Sequence, residues 1–240
     1  MKSKEDIPLE EKVELLKRTV SVLEKHNIQY WIIMGTLLGY TKGKTFLPGD
    51  TDIDFGVYDL QEVINLSDEF EKKGIVMDDE YNDSFYIDKK FKVSFAEFKR
   101  RSDGRLEYKL IMRADLVCRI IDFILHSLKR NTYKPGIFGR EKMKIFFSVS
   151  YFVPFRNKLI FILDKLSDRL ARKTIFIFKP FGLFEDEFAG VKVKIPHDYP
   201  IHLRYIYTDK WNTWNPNFTN KDYNTFSKKV NGIYITEVGE

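Results

Sequence analysis

The chain has 240 residues and a formal net charge of +5, with 43% hydrophobic and 31% charged residues. This balance is typical of a folded globular chain and excludes wholesale disorder. Cys118 is the single cysteine, which excludes a disulfide framework and a zinc site built from several cysteines, and it favours a reducing compartment. The excess of positive charge indicates an anionic partner without identifying it.

The first part of the chain predicts helices alternating with strands. Apolar residues recur at helical spacing from Val13 to Leu23, which predicts an amphipathic helix over residues 9–26. Short apolar runs bounded by glycine or turn residues predict buried strands. We expect such strands at residues 30–34 and 52–57, with a short helix at 36–41 between them and a longer helix over 60–72.

The next part changes character. Further strands are predicted at residues 85–87, 92–98, 105–112 and 119–125, and Ser102-Asp103-Gly104 predicts a hairpin turn. The pattern is helical from residue 139 to about 172, and an irregular tail is expected from Gly182 onward. The expected fold class is α+β, a mixed sheet flanked by helices with a helical and irregular C-terminal part.

Positive charge is concentrated in residues 126–180, which contain 13 Lys or Arg and three Asp or Glu, a net charge of +10. One interpretation is a surface that contacts anionic lipid or a lipid-linked polymer. The other is a set of helices whose basic faces are simply solvated. The most apolar stretch, residues 145–163, is interrupted by Pro154 and by charged residues, and the N-terminus has no secretory segment. We therefore expect a cytoplasmic protein, with at most peripheral contact at the inner face of the membrane.

Two carboxylates alternate on the second predicted strand. Residues i and i+2 of a strand project from one face, so Asp52 and Asp54 point together while Ile53 and Phe55 turn into the core. Close carboxylates repel unless a cation lies between them, and Mg²⁺ accepts one or two carboxylates together with phosphate oxygens and water. The pair therefore predicts a Mg²⁺ or Mn²⁺ site that neutralises a diphosphate. Asp50 is two positions before Asp52 but lies nearer the turn. It is therefore either an outer metal ligand or only a turn residue.

A Gly-Thr pair stands about sixteen residues before these carboxylates. Gly35 and Thr36 lie where a predicted strand meets a helix, and a glycine there allows phosphate to approach the backbone N–H groups. Lys42 and Lys44 follow on the same segment and are candidates to hold phosphate charge. The combination of both motifs favours a functional site over a solvated strand end.

These residues resemble a known family. The segment Gly-Thr-Leu-Leu-Gly at 35–39, a basic residue, Leu47-Pro48 and then Asp-x-Asp-Ile-Asp at 50–54 is similar to the LicD/fukutin-type branch of the nucleotidyltransferase superfamily. The resemblance implies a nucleotidyltransferase-like catalytic core over residues 1–125. Residues 126–240 are then a basic helical insert and a C-terminal segment that packs on the core.

The resemblance also implies further site residues. The family has a third carboxylate on a later strand; Asp122 is the best match and Glu97 is the rival, so the expected catalytic and metal-binding set is Asp52, Asp54 and Asp122. Gly35, Thr36 and Lys42 are the expected donor phosphate ligands, with Lys42 where the family usually has Arg. The C-terminal residues 193–216 are similar to the family's closing strand, short helix and Trp-containing turn.

What the resemblance implies about activity is the metal-dependent transfer of a phospho-alcohol, such as phosphocholine or ribitol phosphate. The donor is a CDP-alcohol, the acceptor is a glycan or lipid-linked polysaccharide, and no nucleic-acid partner is expected. Two alternatives stay open: a nucleotidyltransferase that adds a nucleoside monophosphate to a small molecule or RNA end, and a non-catalytic glycan- or nucleic-acid-binding module.

Overall fold

The computed structural model describes residues 7–77, 84–87, 91–112, 117, 120–121, 124–125, 156–170, 172–207, 209–212, 228–230 and 233–238. The chain divides into two compact units. The first comprises Met1–Lys109, Ile175–Val230 and Ile235–Glu240, and the second comprises Leu110–Thr174 and Asn231–Tyr234. The domain division expected from sequence, 1–125 and 126–240, stays a prediction.

Helices and strands alternate over residues 9–64, as the sequence predicts. The helices with assigned bounds are α1 (Leu9–Lys25), α2 (Met34–Gly43), α3 (Leu60–Ile64), α4 (Ser67–Glu71), α5 (Arg156–Leu170), α6 (Tyr199–Tyr207) and a 3₁₀ helix at Asp209–Asn212. The strands are β1 (Tyr30–Ile32), β2 (Asp52–Val57), β3 (Val76–Met77), β4 (Ser84–Ile87), β5 (Phe91–Arg100), β6 (Leu106–Met112), β7 (Arg172–Phe178), β8 (Leu183–Phe188), β9 (Val191–Pro196), β10 (Lys228–Val230) and β11 (Ile233–Val238).

The main sheet is mixed. Its strands follow the order β1-β2-β5-β6-β7-β11-β10, and β4 joins it by pairing with both β3 and β5. Strand β2 pairs parallel with β5 and antiparallel with β1, whereas β5 pairs antiparallel with β4 and β6. Strands β8 and β9 form a separate hairpin. The predicted α+β class, a mixed sheet flanked by helices, is confirmed.

The core of the first unit includes the apolar face of α1 and the apolar face of β2. Leu16 and Leu23 of α1 are fully buried, as are Ile53 and Phe55 of β2. Phe55 stacks on Phe95 of β5, with ring centroids 5.6 Å apart. This burial leaves the even-numbered residues of β2 on the opposite face, as the period of two predicts. The carboxylates therefore project from a strand whose other side is anchored in the core.

One predicted strand is wrong. Where the structure describes residues 119–125, they are helical, and so is Val117. Ile121 and Leu125, four residues apart, are buried, whereas Val117 and Ile120 are exposed. A short apolar run is compatible with one face of a helix as well as with a strand. Here the two buried residues are four positions apart, which is the spacing of one helical face.

The expected irregular tail instead begins with a hairpin. Ala189 and Gly190 connect β8 to β9, with φ angles of 50° and 77°. Two successive positive φ values are typical of the tight turns that join antiparallel strands, and glycine adopts them without strain. Strand β9, helix α6 and the Trp211-containing 3₁₀ helix then follow in the order that the family resemblance implies.

The helix predicted over 60–72 is two short helices. Asp59 caps α3 by accepting a hydrogen bond from the N–H of Gln61, and the chain then turns at Asn65 and Leu66 before α4 begins. Among the helices that the structure describes, none has the length and apolar composition needed to cross a bilayer.

Candidate active site

The start of α2 is tied to the middle of β2 by two hydrogen bonds. The N–H of Ile33 donates to the carbonyl of Asp54 at 3.0 Å, and the N–H of Asp54 donates to the hydroxyl of Thr36 at 2.9 Å. Thr36 is fully buried, so its hydroxyl serves the strand and is turned away from solvent. These two bonds hold Gly35 directly against the strand that bears the carboxylates.

Asp50 and Asp54 both face Gly35. A Cβ atom built on Gly35 would lie 3.3 Å from Oδ2 of Asp50 and 3.6 Å from Oδ2 of Asp54. A glycine therefore leaves the space beside the two carboxylates that any other side chain would begin to fill. Sequence reasoning left Asp50 as an outer ligand or a turn residue; the structure places it inside the cluster.

The shared environment of the carboxylates alters their protonation. Burial and then the charge of Asp52 raise the pKa of Asp50 to about 7. Burial raises the pKa of Asp54 well above its ordinary value, and the charges of Asp52 and Asp50 add to the effect. Like charges held together out of water disfavour ionisation, so in this geometry the cluster favours bound protons or a bound cation.

Lys92 supplies positive charge from the neighbouring strand. Because β2 and β5 pair in parallel, Asp52 lies opposite Lys92 and Asp54 lies opposite Ser94. The Nζ atom of Lys92 is 3.3 Å from Oδ2 of Asp52, and the Lys92 side chain is 37% exposed. Sequence reasoning missed Lys92, because the pairing of β2 with β5 is a contact between residues forty positions apart.

Lys12 of α1 holds the loop that carries Asp50. It is 4% exposed, and its Nζ donates to the backbone carbonyl of Asp50 at 2.6 Å. The same Nζ lies 5.9 Å from the ring centroid of Phe46 and 5.6 Å from that of Phe91. This buried lysine fixes the loop that presents Asp50. Its signal in the sequence is a lysine on the same helical face as Leu16 and Leu23.

The donor set fits a hard divalent cation. Oδ2 of Asp50 is buried and, among the described atoms, has no hydrogen-bond partner, so it retains an unused acceptor beside Asp54. Carboxylate oxygens are the ligands that Mg²⁺ and Mn²⁺ prefer, and Mg²⁺ commonly completes its shell with water and phosphate. Within the described ranges, no three His, Cys, Asp or Glu side chains converge closely enough to enclose an ion by themselves. The residues thus fit a site that needs substrate or water oxygens to be complete.

Lys42 and Lys44 lie at the far end of α2. Seven residues of α-helix separate Gly35 from Lys42, an axial distance of about 10 Å. The Nζ of Lys42 donates to the backbone carbonyl of Asn212 and lies 5.8 Å from the ring centroid of Trp211. The Nζ of Lys44 is 2.7 Å from Oδ2 of Asp186. Both lysines have protein partners away from Gly35, so the phosphate role of Lys42 stays a prediction.

The structure describes one of the two candidates for a third carboxylate. Asp122 lies outside the described residues. Glu97 pairs in register with Val57, at the opposite end of β2 from Asp52, and its carboxylate lies 3.1 Å from Lys99. The structure does not bring Glu97 to the cluster.

Comparison with known proteins places this geometry in a family. The LicD/FKTN/FKRP nucleotidyltransferase domain matches residues 27–156, which include both the glycine-containing turn and the carboxylates. Two uncharacterized proteins, RP689 of Rickettsia prowazekii and RT0683 of Rickettsia typhi, are each 42% identical to the chain over 50 residues. Those residues are 21% of this chain, and they span only 19% and 16% of the two relatives.

A solved structure, the antibiotic-resistance factor ANT(2'')-Ia, aligns over 66% of this chain and 94% of its own, with a TM-score of 0.34 and 12% identity. That similarity is too low to support an inference. The family match covers more than half of the chain and includes the carboxylate cluster. Its members are transferases, and the chain belongs to the LicD/FKTN/FKRP nucleotidyltransferase domain family.

Proposed function

We propose that the protein is a metal-dependent phosphotransferase. It moves a phospho-alcohol group, such as phosphocholine or ribitol phosphate, from a CDP-linked donor to a hydroxyl of a glycan or lipid-linked polysaccharide. The observation that supports this most directly is the cluster of Asp50 and Asp54 around Gly35, with Asp52 beside them, in a chain of the LicD/FKTN/FKRP family. A diphosphate donor suits a site whose carboxylates need a cation and whose cation needs further oxygens.

Each side chain has a distinct part in this proposal. Within the cluster of Asp50, Asp52 and Asp54, carboxylate oxygens together with substrate or water oxygens would hold Mg²⁺ or Mn²⁺, and the ion when bound would neutralise charge on the donor diphosphate. The Thr36 hydroxyl orients Asp54 by accepting a hydrogen bond from the backbone N–H of Asp54. The Lys12 ammonium group holds Asp50 by donating to the backbone carbonyl of Asp50. Lys92, the partly exposed cation beside Asp52, is placed to contact a donor phosphate.

The transfer itself makes one bond and breaks one. The acceptor hydroxyl oxygen attacks the phosphorus that bears the alcohol, the bond from that phosphorus to the bridging oxygen breaks, and CMP leaves. The hydroxyl proton passes to a base, for which Asp122 is the candidate that the family resemblance implies. Phosphoryl-type transfer depends chiefly on positioning and charge neutralisation, which a rigid carboxylate cluster can supply.

A product assay tests the proposal. The purified chain, with Mg²⁺ or Mn²⁺ and a candidate glycan acceptor, is incubated with CDP-choline, CDP-ribitol or nucleoside triphosphates. Release of CMP, with the alcohol phosphate transferred to the acceptor, is the expected result. Release of pyrophosphate from a triphosphate would instead support the nucleotidyltransferase alternative.

Two substitutions make the assay specific. Asp52→Asn and Asp54→Asn are each expected to abolish turnover, whereas Asp103→Asn, in the exposed turn between β5 and β6, leaves turnover unchanged. The metal-free melting temperature of Asp54→Asn should be equal to or above that of the wild type, because burial beside Asp50 and Asp52 makes an ionised carboxylate costly and the amide carries no charge. Full activity in either site variant overturns the proposal. Failure to bind either a metal ion or a CDP-alcohol would support the non-catalytic alternative.

A further inference from the structure

Helix α5 presents a face that combines apolar and basic side chains. Phe161, Ile162 and Leu166 are 58%, 51% and 41% exposed, although large apolar side chains are ordinarily buried. Lys158 and Lys165 are exposed on the same helix. Spacings of three, four and seven residues put all five on one side of an α-helix. We refer to these five residues as the α5 face.

The exposed apolar surface is unevenly distributed among the described residues. Eight large hydrophobic side chains are exposed there, and five of them belong to the second unit, where Val117 and Ile120 accompany the three on α5. The second unit contributes much the smaller part of the described residues. The three on α5 lie on one side of a single helix, and contiguous exposed apolar surface marks a binding surface more often than chance exposure.

The charge on and around the α5 face selects the type of partner. Helix α5 contains four basic residues and two aspartates, a net charge of +2, and residues 126–180 as a whole have a net charge of +10. The Nζ of Lys165 lies 4.4 Å from the ring centroid of Phe161, so cation and apolar ring share one place on the surface. Lysine is depleted at the centre of protein–protein interfaces. It is abundant beside Phe and Leu on helices that lie in the headgroup region of a bilayer.

We propose that the α5 face docks on the surface of an anionic lipid bilayer. The apolar side chains would enter the boundary between headgroups and acyl chains, and Lys158 and Lys165 would extend along them to anionic headgroups. This inference is independent of the proposed enzymatic activity, because it requires only that the full chain bind a membrane.

Vesicle flotation of the full chain tests the proposal. Vesicles of phosphatidylcholine alone are compared with vesicles that also contain phosphatidylglycerol, at low and high salt. We expect flotation only with the anionic vesicles, and weaker flotation at high salt. The double variant Lys158→Gln/Lys165→Gln should lower the partition coefficient by roughly 25-fold, at about fivefold per lysine.

Apolar substitution provides the second arm. Phe161→Ser/Ile162→Ser/Leu166→Ser should abolish flotation even at low salt, because anionic attraction alone does not insert a helix. The control Leu9→Ser/Val76→Ser replaces apolar residues of the first unit that are 49% and 55% exposed, and it should float like the wild type. All five substituted apolar positions are exposed, so the variants should fold; matching far-ultraviolet circular dichroism and melting temperatures verify this.

Three outcomes overturn the proposal. The first is no flotation of the wild type with anionic vesicles. The second is flotation that neither α5 variant reduces. The third is a wild-type dimer in solution that the triple Ser variant converts to a monomer without any vesicle binding, since the α5 face is then an interface between two copies of the chain.

Discussion

The Nζ atom of Lys92 lies 3.3 Å from Oδ2 of Asp52, across the parallel pairing of β2 with β5. Burial raises the pKa of Asp54, and the charge of Lys92 offsets part of that rise. Lys92 therefore offsets part of the charge that a metal ion would otherwise neutralise. In the proposed site a metal ion and the lysine would compete for the same carboxylates, and a lysine displaced from Asp52 would be free to contact a donor phosphate.

Lys92→Met is expected to shift metal and donor binding in opposite directions. Without the competing ammonium group, Mn²⁺ should bind the donor-free protein several-fold more tightly, because one unit charge beside a carboxylate is worth on the order of 1 kcal/mol at a partly exposed site. The affinity for CDP should fall, and KM for the donor should rise more than kcat changes. Calorimetry with Mn²⁺ alone and with CDP measures both effects.

Lys99→Met is the matched control for this substitution. Lys99 lies on the same strand as Lys92, and its Nζ is 3.1 Å from Glu97, a carboxylate outside the cluster. The control should leave both affinities unchanged. Weaker Mn²⁺ binding in Lys92→Met would contradict competition and would show that the lysine only maintains the local structure.

The raised pKa of Asp50 predicts a pH-dependent stability of the metal-free protein. With a pKa of about 7, folded Asp50 keeps a proton that the unfolded chain, with a value of 3.8, has released. Folding therefore takes up a proton between these values, and the free energy of unfolding should fall as pH rises towards 7, by at most about 1.4 kcal/mol per pH unit for one proton. Above pH 7 the contribution is lost. Urea unfolding in a chelator, at several pH values between about 5 and 8, measures this slope.

Asp50→Asn should flatten that slope. The comparison is made between variant and wild type because two other groups contribute to the slope: the raised pKa of Asp54 acts in the same direction as Asp50, and the lowered pKa of His202 acts in the opposite direction. Burial lowers the pKa of His202 to about 3, so its contribution to stability is present above 6.5 and is lost as pH falls towards 3. An equal slope in variant and wild type would mean that Asp50 is ionised throughout the range.

The sequence predicted the parts of the site that depend on local order. The alternation of Asp52 and Asp54 with Ile53 and Phe55 is a property of one strand, and the strand has the predicted bounds and faces. The position of Gly35 at the entry to α2 follows equally from a short segment. Such patterns need only the geometry of a single element.

The parts of the site that the sequence did not predict are contacts between segments that are far apart along the chain. Lys92 reaches Asp52 because β5, which follows later in the chain, pairs with β2, and Lys12 reaches Asp50 because α1 packs beneath the loop. Lys42 was grouped with Gly35 from proximity along the chain and from the family resemblance, but a helical step of seven residues puts it about 10 Å from Gly35 along the helix axis, and its phosphate role stays a prediction. Spacing in sequence gives direction within an element, whereas these distances depend on packing between elements.

Thr36→Val is expected to destabilise the strand that bears the carboxylates. Valine matches the shape of threonine but has no acceptor for the N–H of Asp54, and a buried N–H without a partner costs about 1–3 kcal/mol. Thr36→Ser retains the hydroxyl and should recover most of the stability. Urea unfolding measures the stability, and Mn²⁺ binding shows whether a displacement of Asp54 also weakens the proposed metal site. Equal stability of the Val and Ser variants would mean that the hydroxyl does not serve Asp54 in solution.

The second glycine of the Gly-Thr-Leu-Leu-Gly segment is expected to be as intolerant of substitution as a core residue. A Cβ atom at Gly39 would overlap the backbone carbonyl oxygen of Thr45, a group that cannot rotate away as a side chain can. Gly39→Ala should therefore lower the free energy of unfolding by about 1–3 kcal/mol, in the range of other overpacked sites. This loss would appear despite the better helix propensity of alanine, which by itself favours the variant by about 1 kcal/mol.

Gly43→Ala is the matched control, since Gly43 belongs to the same helix and a Cβ there would lie 3.9 Å from Cγ2 of Thr45, an ordinary contact. It should be neutral or slightly stabilising. Thermal unfolding of the two variants and the wild type distinguishes the cost of overpacking from the gain in helix propensity. If Gly39→Ala melts at or above the wild-type temperature, the turn after α2 does not pack closely against Gly39. The close approach of Thr45 would then not be the reason for a glycine at position 39.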